Sequence, residues 1–196
     1  MREREQDSGL LDEVIAIRFH NKVTKGGRNL SCAALVVVGD GRGMVGLGYG
    51  KAKGVPMAIE KASKEARGQM FRVSMVGDTV AHRAVGTHKA AKVLLMPATP
   101  GTGVKAGGTV RAIMQVLGVH NVLSKVFGPT NPVNVARATM QALAGMRSKA
   151  EVERLRSSPV MLFHPQVTIE KRVAQVEEPQ AGPAEEPVAE EPSSAE

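Results

Sequence analysis

Apolar and polar positions alternate and recur along this chain in a way that divides it into short strands and amphipathic helices. Residues 1–13 are charged and unpatterned and read as a flexible arm. Three strand-like segments follow: Val14–Thr24, Leu30–Val38 and Met44–Lys51. Lys25-Gly26-Gly27-Arg28 separates the first two, and Gly39-Asp40-Gly41-Arg42-Gly43 the next two. Glycine reaches positive φ without a steric penalty, so both gaps read as hairpin turns. A helix is predicted from Val55 to about Met70. Pro56 suits its first turn, where a missing N–H is harmless. Ile59, Ala62, Ala66 and Met70 form one apolar stripe at helical spacing.

Residues 71–78 read as a hinge into a second unit. Strands are predicted at Val80–Val85 and Ala91–Met96, then a break at Pro97–Gly103. A helix from about Gly107 to Leu117 should turn Val110, Ile113, Met114 and Leu117 inward. A strand at Val122–Phe127 comes next. Asn131-Pro132 reads as an N-cap followed by proline at the first helical position. That helix runs to about Met146, with Val135, Thr139, Ala142 and Met146 on one side, and Ser148–Arg156 adds a turn or two. The fold class is therefore α+β. A β-β-β-α unit over 14–74 has the core of a double-stranded-RNA-binding domain without its first helix. A β-β-α-β-α unit occupies 75–157. The extension 158–196 holds two weak extended segments, Val160–Phe163 and Val167–Val173. From Glu177 it becomes a Pro-, Ala- and Glu-rich acidic tail too poor in apolar residues to fold, read as disordered.

Charge sharpens this picture. The net charge is +7, but the seven acidic residues from Glu177 onward face no Lys or Arg. Residues 1–174 carry 26 basic and 12 acidic side chains, a net +14, the footprint of a polyanion binder. The aromatics are few: Phe19, Tyr49, Phe71, Phe127 and Phe163, with no Trp. Single-strand binders stack bases on exposed rings, so this composition favours folded RNA read by shape, phosphates and 2′-hydroxyls. The acidic tail would either shield the basic surface before assembly or serve as an inert solvated extension. No apolar run approaches the roughly 18 residues of a membrane span, and the charged first residues lack the apolar stretch of a signal peptide. A soluble cytoplasmic protein with no membrane partner is expected. Cys32, the one cysteine, permits no internal disulfide and reads as a buried thiol.

No constellation for catalysis emerges. Gly41-Arg42-Gly43-Met44-Val45-Gly46 matches G-x-G-x-x-G, but a dinucleotide site needs a helix directly after it, and here a strand continues. Gly50-Lys51 lacks the remaining P-loop residues. Gly46, Gly48 and Gly50 share one strand face, open either to internal packing or to an RNA backbone. His82 and His88 have no Cys or acidic partners for a metal site, and no cofactor is expected. The positive signal is basic residues beside glycines. Lys22, Lys25 and Arg28 bracket Gly26 and Gly27, where backbone amides and cations can meet phosphates together. Lys51 and Lys53 lie at the strand-to-helix junction. Lys61, Lys64 and Arg67 lie on the helix, either as a solvated face or as RNA contacts. Arg83, His88, Lys89 and Lys92 form a further patch.

The chain resembles the bacterial form of the family of small ribosomal subunit protein five. The matching stretches are Lys25–Arg28, Val37–Gly41, Val45-Gly46 with Gly48–Ala52, Pro97-Ala98 with Gly101–Gly103, Ala106–Gly108, Gly118–Leu123, and Thr130–Pro132 through Arg137–Thr139. They fall in family order. The resemblance implies a double-stranded-RNA-binding-like N-terminal domain and a small α/β C-terminal domain of the ribosomal-five, domain-two type. It also implies contacts with small-subunit ribosomal RNA and with small-subunit proteins four and eight. The implied place is near the channel where messenger RNA enters, with a role in decoding accuracy. The loop matching Lys22–Arg28 is implied to reach RNA near the spectinomycin site. The surface toward protein four is implied around Gly103 to Arg111. Arg18-Phe19-His20, Arg42 and Met44 depart from the family's usual residues.

Overall fold

The computed structural model describes residues 9–156. The extended segments and acidic tail expected after Ser157, and most of the expected N-terminal arm, lie outside the described residues. The first sheet has strand order β1-β2-β3-β4, with β1 at Leu11–Thr24, β2 at Gly27–Gly39, β3 at Met44–Ala52 and β4 at Phe71–Arg72. Helix α1 spans Val55–Gly68. Strand β2 is buried on both faces from Cys32 to Val38, which is why its sequence is a continuous apolar run rather than an alternation. Cys32, Ala34, Val36 and Val38 pack with Ala58, Ala62 and Ala66 of α1. Leu35 and Val37 face the other way and join Val45 in a second, larger core.

The glycines of β3 are internal packing. A methyl at Gly46, Gly48 or Gly50 would overlap the carbonyl oxygen of Ala66, Ala62 or Ala58 respectively. Two strand residues rise about 6.7 Å, and four helix residues about 6 Å. Glycines at every second strand position therefore meet alanines at every fourth helix position, and α1 lies directly on the β3 backbone. Of the two alternatives the sequence left open for this face, the RNA approach is excluded.

Leu11 to Glu13, expected in the loose arm, belong to β1. They pair with Gly39, Val38 and Val37, and Asp12 forms a 3.5 Å ion pair with Arg67 of α1. The register shifts between Val14 and Ala16, a one-residue bulge. Asp12 and Val14 before it, and Ile17 and Phe19 after it, consequently share the α1 side of the sheet. An unbroken alternation would have placed them on opposite faces.

Residues 75–80 form a small hairpin of β5 (Met75–Val76) and β6 (Thr79–Val80). The second sheet has order β7-β8-β10-β9, from Ala84–His88, Ala91–Pro97, Val122–Phe127 and Val104–Lys105. The single strand expected at Val80–Val85 is thus broken. At the break, His82 Nδ1 bonds the Arg83 carbonyl at 2.9 Å, and its Nε2 accepts the Arg147 N–H at 3.2 Å. Strand β9, not predicted, pairs in parallel with β10. Helix α3 (Pro132–Ala144) packs on β7 and β8, while α2 (Gly108–Leu117) lies against α3 and the first sheet and meets the second sheet at β9, with all four predicted residues of α2 buried. Asn131 occupies the N-cap position of α3, but its side chain makes no capping bond and its Oδ1 is buried without a partner. Ser148 does cap: its Oγ accepts the Glu151 N–H at 3.2 Å and starts α4, Lys149–Arg156.

The expected hinge is instead a packed junction. The larger core runs without interruption from Leu35, Val37 and Val45 through Val73 and Val80 to the residues of α2 and α3. The turn after β2 docks on the end of α2. Gly41 N–H donates to the Val116 carbonyl at 3.0 Å and Gly43 N–H to the Leu117 carbonyl at 3.1 Å. The last carbonyls of a helix have no partner within it; here a turn from the other sheet supplies two. Asp40 holds that turn by accepting the N–H groups of Arg42 at 2.7 Å and Met44 at 2.9 Å. Burial by itself would raise the pKa of Asp40. The hydrogen bonds from Met44, Arg42 and its own amide, with the nearby Arg42 charge, outweigh that and hold the carboxyl below its ordinary value.

A carboxyl with a depressed folded-state pKa contributes stability above its unfolded-state pKa and loses it as pH falls through the folded one. Folding should therefore weaken on acidification below the ordinary Asp range, near pH 4, and part of that slope should vanish in Asp40→Asn. Urea midpoints from pH 2 to 7 for both proteins measure this. Parallel curves would show that Asp40 does not contribute.

Candidate nucleic-acid interface

Beyond the body of the first sheet, β1 and β2 continue as a two-stranded arm. Every residue from Ile17 to Leu30 is exposed. The arm closes through Lys25 and Gly26, and the Thr24 hydroxyl donates to the Gly27 carbonyl at 3.1 Å. The turn is shorter than predicted, because Gly27 and Arg28 are already in β2. Gly27 has φ of 136°, a backbone conformation that favours glycine. Nothing lies within 4 Å of where a side chain at Gly26 or Gly27 would sit, so both backbones are open to an approaching ligand.

Register assigns the arm's cations to two faces. Lys22 pairs with Asn29, His20 with Ser31 and Arg18 with Ala33 on one side. Arg28 pairs with Val23 on the other, the α1 side, and Lys25 stands at the tip. Arg18 and His20 were not among the predicted contacts, although strand alternation from Lys22 points to them. From Val14 to Gly39 there are four Lys or Arg and no acidic residue.

The other predicted positions lie apart from the arm in sequence. Lys51 and Lys53 are exposed, and Lys51 Nζ sits 5.5 Å from the centroid of the Tyr49 ring. Lys61, Lys64 and Arg67 are exposed on α1, with Arg67 near Asp12. Arg83, Lys89 and Lys92 are exposed around β7 and β8, and Lys89 takes the left-handed conformation at φ 53° in their turn. His88 differs from these: its Nε2 is buried without a partner. From Thr79 to Ala150 the sequence has nine Lys or Arg and no acidic residue. Long-range attraction for polyanions needs such an unbalanced field.

Gly103 and Arg111 flank the start of α2. The Gly103 N–H donates to Asn121 Oδ1 at 3.1 Å, and its carbonyl accepts the Val122 N–H at 3.2 Å. These bonds fix the loop after β8, while Arg111 is exposed one turn into the helix. Sequence reasoning also missed an open cleft of about 310 Å³ where β3, α1 and α3 meet, lined by Tyr49, Glu65, Phe71, Arg137 and Met140 among others. Glu65 there accepts the Tyr49 N–H at 3.1 Å, occupying part of the β3 edge.

The Gly41–Gly46 turn is unlike a nucleotide site. Its amides are engaged by the α2 carbonyls and by Asp40, so none of these points to a phosphate. Among the described residues there is no cluster of three His, Cys, Asp or Glu able to hold a metal. No described helix is long and apolar enough to cross a membrane.

Two small sheets share one core, and exposed cations gather on a projecting ribbon; this is a basic α+β protein whose surface suits a polyanion. Comparison with known sequences makes this specific. Residues 10–74 match the ribosomal protein S5 N-terminal domain, and residues 86–156 match the ribosomal protein S5 C-terminal domain. The small ribosomal subunit protein uS5 of Idiomarina loihiensis is 52% identical over 147 residues, covering 75% of this chain and 89% of that protein. That of Cupriavidus metallidurans is 51% identical over 156 residues, covering 80% and 91%. The chain belongs to the ribosomal protein S5 family, and its role is a structural, non-enzymatic one in the small ribosomal subunit.

Proposed function

We propose that this chain binds folded small-subunit ribosomal RNA through its arm, α1 and the β7–β8 turn. There it supports subunit assembly and decoding accuracy near the channel where messenger RNA enters. In this reading, residues 14–74 form the main RNA-binding domain. Residues 75–157 add the Arg83, Lys89 and Lys92 patch and present Gly103 and Arg111 to protein four, with protein eight as a further neighbour. As part of the bacterial ribosome it works in the cytoplasm. The observation that carries the reading is the arm: Lys22, Lys25 and Arg28 are exposed on a ribbon with no carboxylate to compete for them.

Each phosphate neutralised by a cation releases counterions, so affinity falls with salt in proportion to the number of contacts. Replacing Lys22, Lys25 and Arg28 together by alanine should lower the slope of log affinity against log salt by about 2 to 3. The assay is binding to small-subunit particles lacking this protein. An unchanged slope would remove the arm from the contact. If the wild-type chain sedimented free of small subunits at physiological salt, the whole reading would fall. For the protein contact, Arg111→Glu should weaken crosslinking to protein four while leaving the salt slope with RNA unchanged.

A further inference from the structure

The cations are not the only thing the arm exposes. Phe19 is 63% exposed, Leu30 53% and Val23 73%. Phe19 pairs with Cys32 and Asn21 with Leu30, while Val23 pairs with Arg28. Side chains of paired positions lie on the same face, and every second residue returns to it. Phe19, Leu30 and Val23 therefore form one exposed apolar strip on the α1 side of β1 and β2, starting beside Cys32 at the margin of the α1 packing and running out along the arm, with Arg28 at its outer end. Ile17, 40% exposed and paired with buried Ala34, joins this strip to the α1-side core. Single exposed apolar residues are ordinary on a protein surface; a contiguous strip on a projecting ribbon is a binding feature.

The occupant follows from the charge around the strip. The segment from Val14 to Gly39 has four cations and no carboxylate, so its partner is an anion. An A-form helix offers phosphates and sugars to a protein surface, and its deep major groove hides the bases from side chains. Its shallow minor groove displays sugars and base edges, but its base faces are stacked on one another and closed to an aromatic ring. An unpaired nucleotide presents both parts: a flat base for the apolar strip and a phosphate for a cation.

We infer that the Phe19, Leu30 and Val23 strip is a stacking site for an unpaired base of small-subunit ribosomal RNA, with Arg28 on the same face taking a neighbouring phosphate. This rests on the proposed RNA binding and adds to it a second mode of contact on the arm. Lys22, with Arg18 and His20 on the opposite face, meets backbone; the α1-side face meets a base. The scarcity of aromatic residues, which argued against stacking along the whole chain, is compatible with a single ring at this one position.

The test uses the full-length chain assembled into small subunits. A photo-crosslinking benzoylphenylalanine is placed at position 19 in one protein and at position 22 in another. Both should crosslink to ribosomal RNA, and the position-19 product should map to a nucleotide outside Watson–Crick pairing. Phe19→Ala should raise the chemical reactivity of that base several-fold and weaken binding about tenfold, the order expected for losing one stacked base. Phe19→Tyr should restore both. Phe19 is exposed, so these substitutions leave the core untouched. Crosslinking at 22 but not at 19, a position-19 product with a neighbouring protein, a position-19 product confined to paired nucleotides, or unchanged base reactivity in Phe19→Ala would overturn the stacking site and leave RNA binding standing. Failure of both positions to reach RNA would overturn the two together.

Discussion

Gly48→Ala is expected to destabilise the protein by roughly 3 kcal/mol or more, the upper end of what overpacking costs, and to lower the melting temperature by about 10 °C. The added methyl would overlap the Ala62 carbonyl oxygen and lie 2.7 Å from the Ala66 nitrogen. Both atoms belong to the backbone of α1, so no side-chain rotation relieves the clash. The helix must move away from β3, loosening its packing on Ala34, Val36 and Val38. Gly68→Ala is the control. It lies in the last turn of the same helix with open space around it, and it should be neutral or stabilising by a few tenths of a kcal/mol. Thermal melts of the two variants compare them directly. Equal melting temperatures would mean that α1 does not sit against the glycines as described.

The second large effect is expected at Gly118. This residue ends α2 in the left-handed conformation, φ 89°, and the Val119 N–H returns to the Met114 carbonyl at 3.0 Å. An alanine there meets two difficulties. The left-handed backbone costs a residue with a Cβ about 1 kcal/mol. Its methyl would also overlap the Gly41 carbonyl, with the Gly41 carbonyl carbon at 2.6 Å. Moving the Gly41 turn would break the bonds from Gly41 and Gly43 that satisfy the end of α2 and join the two sheets. A total loss of roughly 3 kcal/mol is expected. Gly101→Ala separates the two causes, because Gly101 has a similar φ of 87° with nothing within 4 Å. It should lose the conformational part alone. Urea denaturation of the three proteins measures the difference; a Gly118→Ala protein as stable as Gly101→Ala would show that the junction is not tight.

The expected elements appear largely where the pattern places them because local periodicity records burial. Val110, Ile113, Met114 and Leu117 at helical spacing are buried, and so are Val135, Thr139, Ala142 and Met146. The departures occur where partners distant in sequence act. The predicted Val80–Val85 strand breaks at His82, whose ring accepts the N–H of Arg147, 65 residues away. Strand β9 is two residues long, too short to show a period, and exists only because Val122 and Leu123 pair with it. The cations of the arm could be read as exposed, since nothing apolar surrounds Lys25 in sequence. Their distribution over two faces could not, nor could the inward turn of His88, a candidate contact whose Nε2 is buried.

The sequence by itself determined the α+β class, the succession of most strands and helices, and the acid-free basic stretch that becomes the arm. Residue type and spacing decide these, through chain stereochemistry and net charge. Only the tertiary structure decided what covers the Gly46, Gly48 and Gly50 face, that the Gly41–Gly43 amides complete α2 rather than hold a ligand, and which residues share a face of the arm. Those outcomes depend on close approach between backbones far apart in the chain and on a bulge in strand pairing. Neither is encoded in the local alternation of apolar and polar positions.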